Sequence, residues 1–94
     1  MEIEFKTDEF LSFYTGNYSG KQKFSADIIK RYKDKIEFII EAENINALSK
    51  IRSLNVEKYE DHWSIRINRQ YRIEFDFIKP NTVVISKISK HYEN

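Results

Sequence analysis

The stretch His62-Trp-Ser-Ile-Arg-Ile-Asn-Arg-Gln-Tyr-Arg-Ile-Glu-Phe-Asp-Phe77 decides the fold. Apolar residues take every second position: Trp63, Ile65 and Ile67, then Tyr71, Ile73, Phe75 and Phe77. Successive side chains of a strand point to opposite faces, so this alternation predicts two half-buried strands. Asn68-Arg69-Gln70 breaks it and predicts a three-residue hairpin loop. Parity sets the register. A two-residue loop would place Ile65 opposite a polar partner on the wrong face. A three-residue loop pairs Ile67 with Tyr71, Ile65 with Ile73 and Trp63 with Phe75, and one face stays apolar. Trp63 and Tyr71, alternating with isoleucines, are expected in the core. The other face then sets Arg66 against Arg72, Ser64 against Glu74 and His62 against Asp76. Two arginines directly opposite repel, an arrangement that stability alone disfavours and that suggests an anionic ligand. The alternative is a pair of solvated strand arginines offset by Glu74 or Asp76. His62 and Asp76 are read as a structural ion pair in preference to a catalytic histidine.

Working outward, the chain of 94 residues predicts a single domain over 1–94. Hydrophobic residues make up 40% and charged residues 33%, the balance of a globular rather than a disordered chain. Aromatics, at 15%, supply much of a small core. The absence of cysteine excludes disulfides and thiolate metal sites and fits a cytoplasmic setting. No long apolar run predicts a membrane span, and the alternating, acidic Met1–Lys6 is unlike a signal peptide. Net charge is only +1, which gives no global argument for nucleic acid. The halves differ, however: residues 1–47 carry seven basic and nine acidic side chains, residues 48–94 nine basic and six acidic. A local basic patch would lie on the second half.

Residues 2–6 alternate and predict a short strand. Thr7 or Asp8 caps a short helix with Phe10, Leu11, Phe13 and Tyr14 on one side, and Gly16 stops it. Ser25 caps a longer amphipathic helix reaching about Ala42, in which Ile28, Ile29, Tyr32, Ile36, Ile39 and Ile40 recur at helical spacing. Its charged face reads as solvated. Asn44 caps a short helix containing Ile45, Leu48 and Ile51, and residues 53–61 read as a polar connection anchored by Leu54, Val56 and Tyr59. Lys79-Pro80-Asn81 is a turn, and Thr82–Ser89, rich in β-branched residues, is a third strand of the meander. The order predicts an α+β fold.

The run from Trp63 to Phe75 resembles the signature of HigB-type toxins in the RelE/ParE superfamily: Ser-Ile-Arg, an apolar residue, Asn, a variable residue, Gln, an aromatic residue and Arg. The closing Ile88-Ser-Lys-His-Tyr-Glu93 resembles the end of one branch of that group. The resemblance implies an N-terminal strand, two main helices and a three-stranded antiparallel meander, with the helices on one face of a four-stranded antiparallel sheet and a catalytic surface on the other. It implies a toxin of a type II toxin–antitoxin pair, a ribosome-dependent mRNA endonuclease that inhibits translation. A HigA-like helix-turn-helix antitoxin, the ribosome and mRNA are the implied partners, with a higher-order antitoxin complex on operator DNA. Two other readings stay open: a non-catalytic ParE-like toxin acting on gyrase, and an inactive protein-interaction module.

Metal-independent RNA cleavage needs a base for the 2′-hydroxyl, cations for the phosphate and an acid for the leaving 5′-oxygen. No cofactor is expected. Arg66 and Arg72 match the arginines of the signature and can grip phosphate oxygens in a forked geometry. His91 is the candidate acid or base because imidazole titrates near neutrality, with Tyr92 and Lys90 in reserve. Better-known members end in Asp-Tyr-His or similar, whereas here the order is Lys90-His91-Tyr92, so either residue takes the role. Lys58, Arg69 and Lys90 are candidate RNA contacts.

Overall fold

A computed structural model describes residues 1–90. The elements keep the predicted order, with a 3-10 turn and the strand β2 added: β1 (Glu2–Phe5), α1 (Asp8–Thr15), α2 (Ala26–Glu41), α3 (Ile45–Ser49), the 3-10 turn (Arg52–Leu54), β2 (Glu57–Lys58), β3 (Trp63–Arg66), β4 (Tyr71–Ile78) and β5 (Thr82–Lys90). Each helix begins where a side chain can take an orphan backbone N–H. The Thr7 hydroxyl accepts from Phe10 N, Ser25 from Ile28 N and Asn44 from Ala47 N. Helix α1 ends at Gly16, whose φ of 78° is the left-handed conformation that glycine adopts without strain. Among the described residues, no helix is long and apolar enough to cross a membrane.

The fold is α+β, as expected, but among the described residues the sheet is mixed and has five strands in the order β1-β5-β4-β3-β2. Two details of the expected sheet are therefore corrected. First, β1 runs parallel to β5, pairing Ile3 with Val83 and Phe5 with Ile85. A crossover through α1 and α2 separates the two strands, so parallel pairing is open to them. Second, Glu57 and Lys58, read as part of a polar connection, add an antiparallel edge strand opposite Ser64 and Trp63. Two residues are too few to show alternation.

The hairpin register is the one parity demands: Trp63 with Phe75, Ser64 with Glu74, Ile65 with Ile73 and Arg66 with Arg72. Asn68 builds the loop, its Oδ1 accepting from Gln70 N and Tyr71 N at 2.8 Å each. Between β4 and β5 the register shifts. Glu74 opposes Lys87 and Phe75 opposes Ile85, leaving Ser86 as the extra residue of a bulge. The Ser86 hydroxyl bonds the Glu74 carbonyl at 3.1 Å. The bulge explains how Ile85 and Ile88, three apart, both lie opposite core-facing partners.

The apolar face packs under the helices. Ile29, Tyr32, Ile36 and Ile39 of α2 and Phe13 of α1 form one buried cluster with Ile65, Ile73, Phe75, Val83 and Ile85. Burying each of these side chains contributes about 1.5–3 kcal/mol. Tyr32 lies edge-on to Phe13 at 6.3 Å, and its hydroxyl, the one polar atom it brings inside, donates to the Phe10 carbonyl at 2.9 Å. Trp63 and Tyr71 pack against the cluster as partly buried residues.

Candidate functional site

The face turned from the helices carries Ser64, Arg66, Arg72 and Glu74, because these alternate with the core residues of β3 and β4. Arg66 and Arg72 are direct cross-strand partners. They are not equivalent. Arg66 is half-buried and makes no hydrogen bond or ion pair among the described residues. Arg72 is 5% exposed. Its Nε donates to Ser64 Oγ at 2.9 Å, and its Nη2 donates to the Asn55 carbonyl at 2.6 Å and the Ser64 carbonyl at 3.3 Å. Nη2 also lies 3.9 Å from Glu57 Oε2.

The sequence predicted two arginines that grip an anion in a forked geometry. Arg72 is instead held against the sheet by the segment leading into β2, with Asn55 at a φ of 43° presenting its carbonyl. Arg66 and Arg72 still share a face, because they are direct cross-strand partners. Burial lowers the Arg72 pKa more than any other influence; Glu57, Tyr59 and Glu74 offset it, and the charge of Arg66 adds to it.

Arg72 is one wall of a cavity of about 200 Å³ lined also by Tyr59, His62, Ser64, Glu74, Ser89 and Lys90. His62 was read as the partner of Asp76. Its Nδ1 instead lies 2.7 Å from Asp61 Oδ1 and its Nε2 3.1 Å from Glu74 Oε1. The strand pairing begins at Trp63, and just before it the His62 carbonyl accepts from Tyr59 N at 2.7 Å, closing a tight turn. The imidazole stacks on the Tyr59 ring, centroids 4.7 Å apart and planes 22° apart. The Tyr59 hydroxyl donates to Glu57 Oε2 at 2.7 Å. That bond, chiefly, raises the phenol above its ordinary value, so Tyr59 is no base near neutrality. Asp61 is held below its ordinary value, first by the bond to His62.

The other sequence-predicted residues are dispersed. Lys58, on β2, places its ammonium 5.2 Å from the Trp63 ring centre, beside an adjoining cavity of about 420 Å³. Arg69 is exposed at the hairpin loop, away from both cavities. Lys90, at the end of β5, lines the Arg72 cavity. His91 and Tyr92 lie outside the described residues. Tyr59, His62 and Glu74 form much of the cavity but were not singled out as site residues. The tight turn before β3, which brings Tyr59 back over His62, leaves no alternation to read. Among the described residues, no three His, Cys, Asp or Glu side chains come together to hold a metal ion.

Residues 3–91 match a family model described as the RelE-like toxin of the type II toxin–antitoxin system HigB. No curated protein matches the sequence. Among solved structures, the chain is similar to one in the YoeB–YefM complex from Staphylococcus aureus, with a TM-score of 0.61 at 18% identity, covering 98% of each chain. At that identity the likeness speaks for the fold.

Proposed function

The chain belongs to the RelE-like HigB toxins of type II toxin–antitoxin systems, and from that membership we propose that it is an endoribonuclease that cuts mRNA on the ribosome and so stops translation. The observation that carries the reading is the cross-strand pair Arg66 and Arg72 on the face away from the helices, beside a cavity of about 200 Å³. Like charges at that spacing cost stability, and a bridging phosphate would convert the cost into binding.

In this reading, Arg66 supplies a free fork to the non-bridging phosphate oxygens. Arg72 is preorganised: its Nε and Nη2 are spent on Ser64 and Asn55, and the fixed guanidinium offers charge and its remaining Nη1. The 2′-oxygen attacks phosphorus and the 5′-oxygen leaves, so one group must take a proton and another must give one. His91 or Tyr92 is proposed for the first role. Lys90, Lys58 and Arg69 are proposed to hold the RNA backbone. No cofactor takes part. The toxin would work in the cytoplasm as one domain, restrained by a HigA-like antitoxin with which it would bind operator DNA. That the similar solved structure is itself a two-protein complex supports such a partner.

Primer extension on mRNA after induced expression tests the reading. Cuts within translated codons that vanish in Arg66→Ala are expected. The net charge of only +1 favours a second reading, a gyrase-directed toxin without catalysis. DNA breaks with intact mRNA would establish it.

A further inference from the structure

We propose that His62 is the general acid of the cleavage reaction: held between two carboxylates at the rim of the Arg72 cavity, its imidazolium protonates the departing 5′-oxygen. The inference rests on the nuclease reading and assigns the proton donor which that reading leaves open.

Three observations carry it. The first is the donor pattern. Nδ1 meets Asp61 at 2.7 Å and Nε2 meets Glu74 at 3.1 Å. An ionised carboxylate only accepts hydrogen bonds, and a neutral imidazole donates from one nitrogen only. A ring that donates to both carboxylates does so as the cation, the form that has a proton to give. The second is orientation. Asp61 fixes one nitrogen, the Tyr59 ring fixes the plane, and the His62 carbonyl is tied to Tyr59 N, so Nε2 is aimed by three separate contacts. The third is location. His62 shares its cavity with Arg72, Ser64 and Lys90, the groups best suited to a phosphodiester. The titratable and charged groups facing it are Asp61, Glu74, Tyr59, Arg72 and Lys90. The Tyr59 phenol, raised above its ordinary value, stays neutral.

The bonds balance. The 2′-oxygen bonds to phosphorus as the bond from phosphorus to the 5′-oxygen breaks. The 2′-proton passes to the base, and the Nε2 proton passes to the 5′-oxygen, which takes the place of Glu74 at that nitrogen. The products are a 2′,3′-cyclic phosphate and a 5′-hydroxyl. Glu74 and Asp61 act through His62 and are positioning residues.

The test compares wild type and His62→Gln on ribosome-bound mRNA carrying, at the position wild type cuts, either the natural 5′-oxygen or a bridging 5′-sulfur. A thiolate leaves without protonation, so an acid is dispensable for the sulfur substrate. The expected result is a loss of about 10²–10⁴-fold for His62→Gln on the oxygen substrate, and near wild-type cleavage of the sulfur substrate. The restored cleavage also proves that the variant is folded. Equal losses on both substrates, or no loss on either, would overturn the assignment. Wild type cutting neither substrate would sink the nuclease reading itself, a result distinct from either.

Discussion

The Arg72 guanidinium is clamped to Ser64: Nε donates to the buried Oγ at 2.9 Å, while Nη2 reaches past it to the Asn55 carbonyl at 2.6 Å. One side chain thus ties β3, β4 and the segment entering β2 together. A residue expected for chemistry is also a structural clip. Arg72→Ala strands the buried Ser64 hydroxyl, at a cost of about 1–3 kcal/mol. The melting temperature should fall by at least about 4 °C, read by calorimetry. An unchanged melting temperature would show that the clip contributes nothing.

Arg66 should behave in the opposite way. It makes no hydrogen bond or ion pair among the described residues and raises the cost of charging Arg72. Arg66→Ala is expected to leave stability within about 0.5 kcal/mol of wild type, or raise it. Cleavage of ribosome-bound mRNA should fall about 100-fold or more. Parallel melting and single-turnover assays separate the two effects.

The Asp61 carboxylate is stabilised first by His62. A bond to the charged form lowers a carboxyl pKa, so His62→Gln should raise that of Asp61 toward its ordinary value, seen by NMR titration of its side-chain carbonyl carbon. The sign for stability follows. A depressed carboxylate contributes above its unfolded pKa of about 3.9, and the contribution is lost as pH falls through the folded value. The difference between wild type and His62→Gln traceable to Asp61 should therefore vanish in strong acid.

Tyr32 tests the helical side. Its ring is buried and its hydroxyl bonds the Phe10 carbonyl, and burial raises the phenol above its ordinary value. Tyr32→Phe should cost about 1 kcal/mol and leave cleavage unchanged. Denaturant unfolding at constant slope measures the first, the ribosome assay the second.

The hairpin was legible because its side chains alternate without a gap and its loop has the length that keeps Ile65 facing Ile73; parity permits one register only. The helices were legible from their caps, Thr7, Ser25 and Asn44, followed by apolar spacing. The burial of Arg72 was not, because its partner Asn55 stands 17 residues earlier in a left-handed conformation. In residues 53–61 the alternation of Leu54 and Val56 stops at Glu57, too short to mark a strand. His62 was matched to Asp76 by extending the ladder one step too far. The pairing starts at Trp63, and the turn fixed by Tyr59 swings the ring to Glu74. The bulge at Ser86 was equally hidden, although the three-residue gap from Ile85 to Ile88 is the signal that could have disclosed it.

The central claim is that the Arg66–Arg72 face receives the scissile phosphate. A structure of the toxin on the ribosome with mRNA blocked by a 2′-O-methyl group at the cleavage position tests it most directly. The account predicts phosphate oxygens within about 3 Å of the guanidinium nitrogens of Arg66, with Arg72 behind them. An mRNA path over α1 and α2, or a phosphate that touches neither arginine, would contradict it.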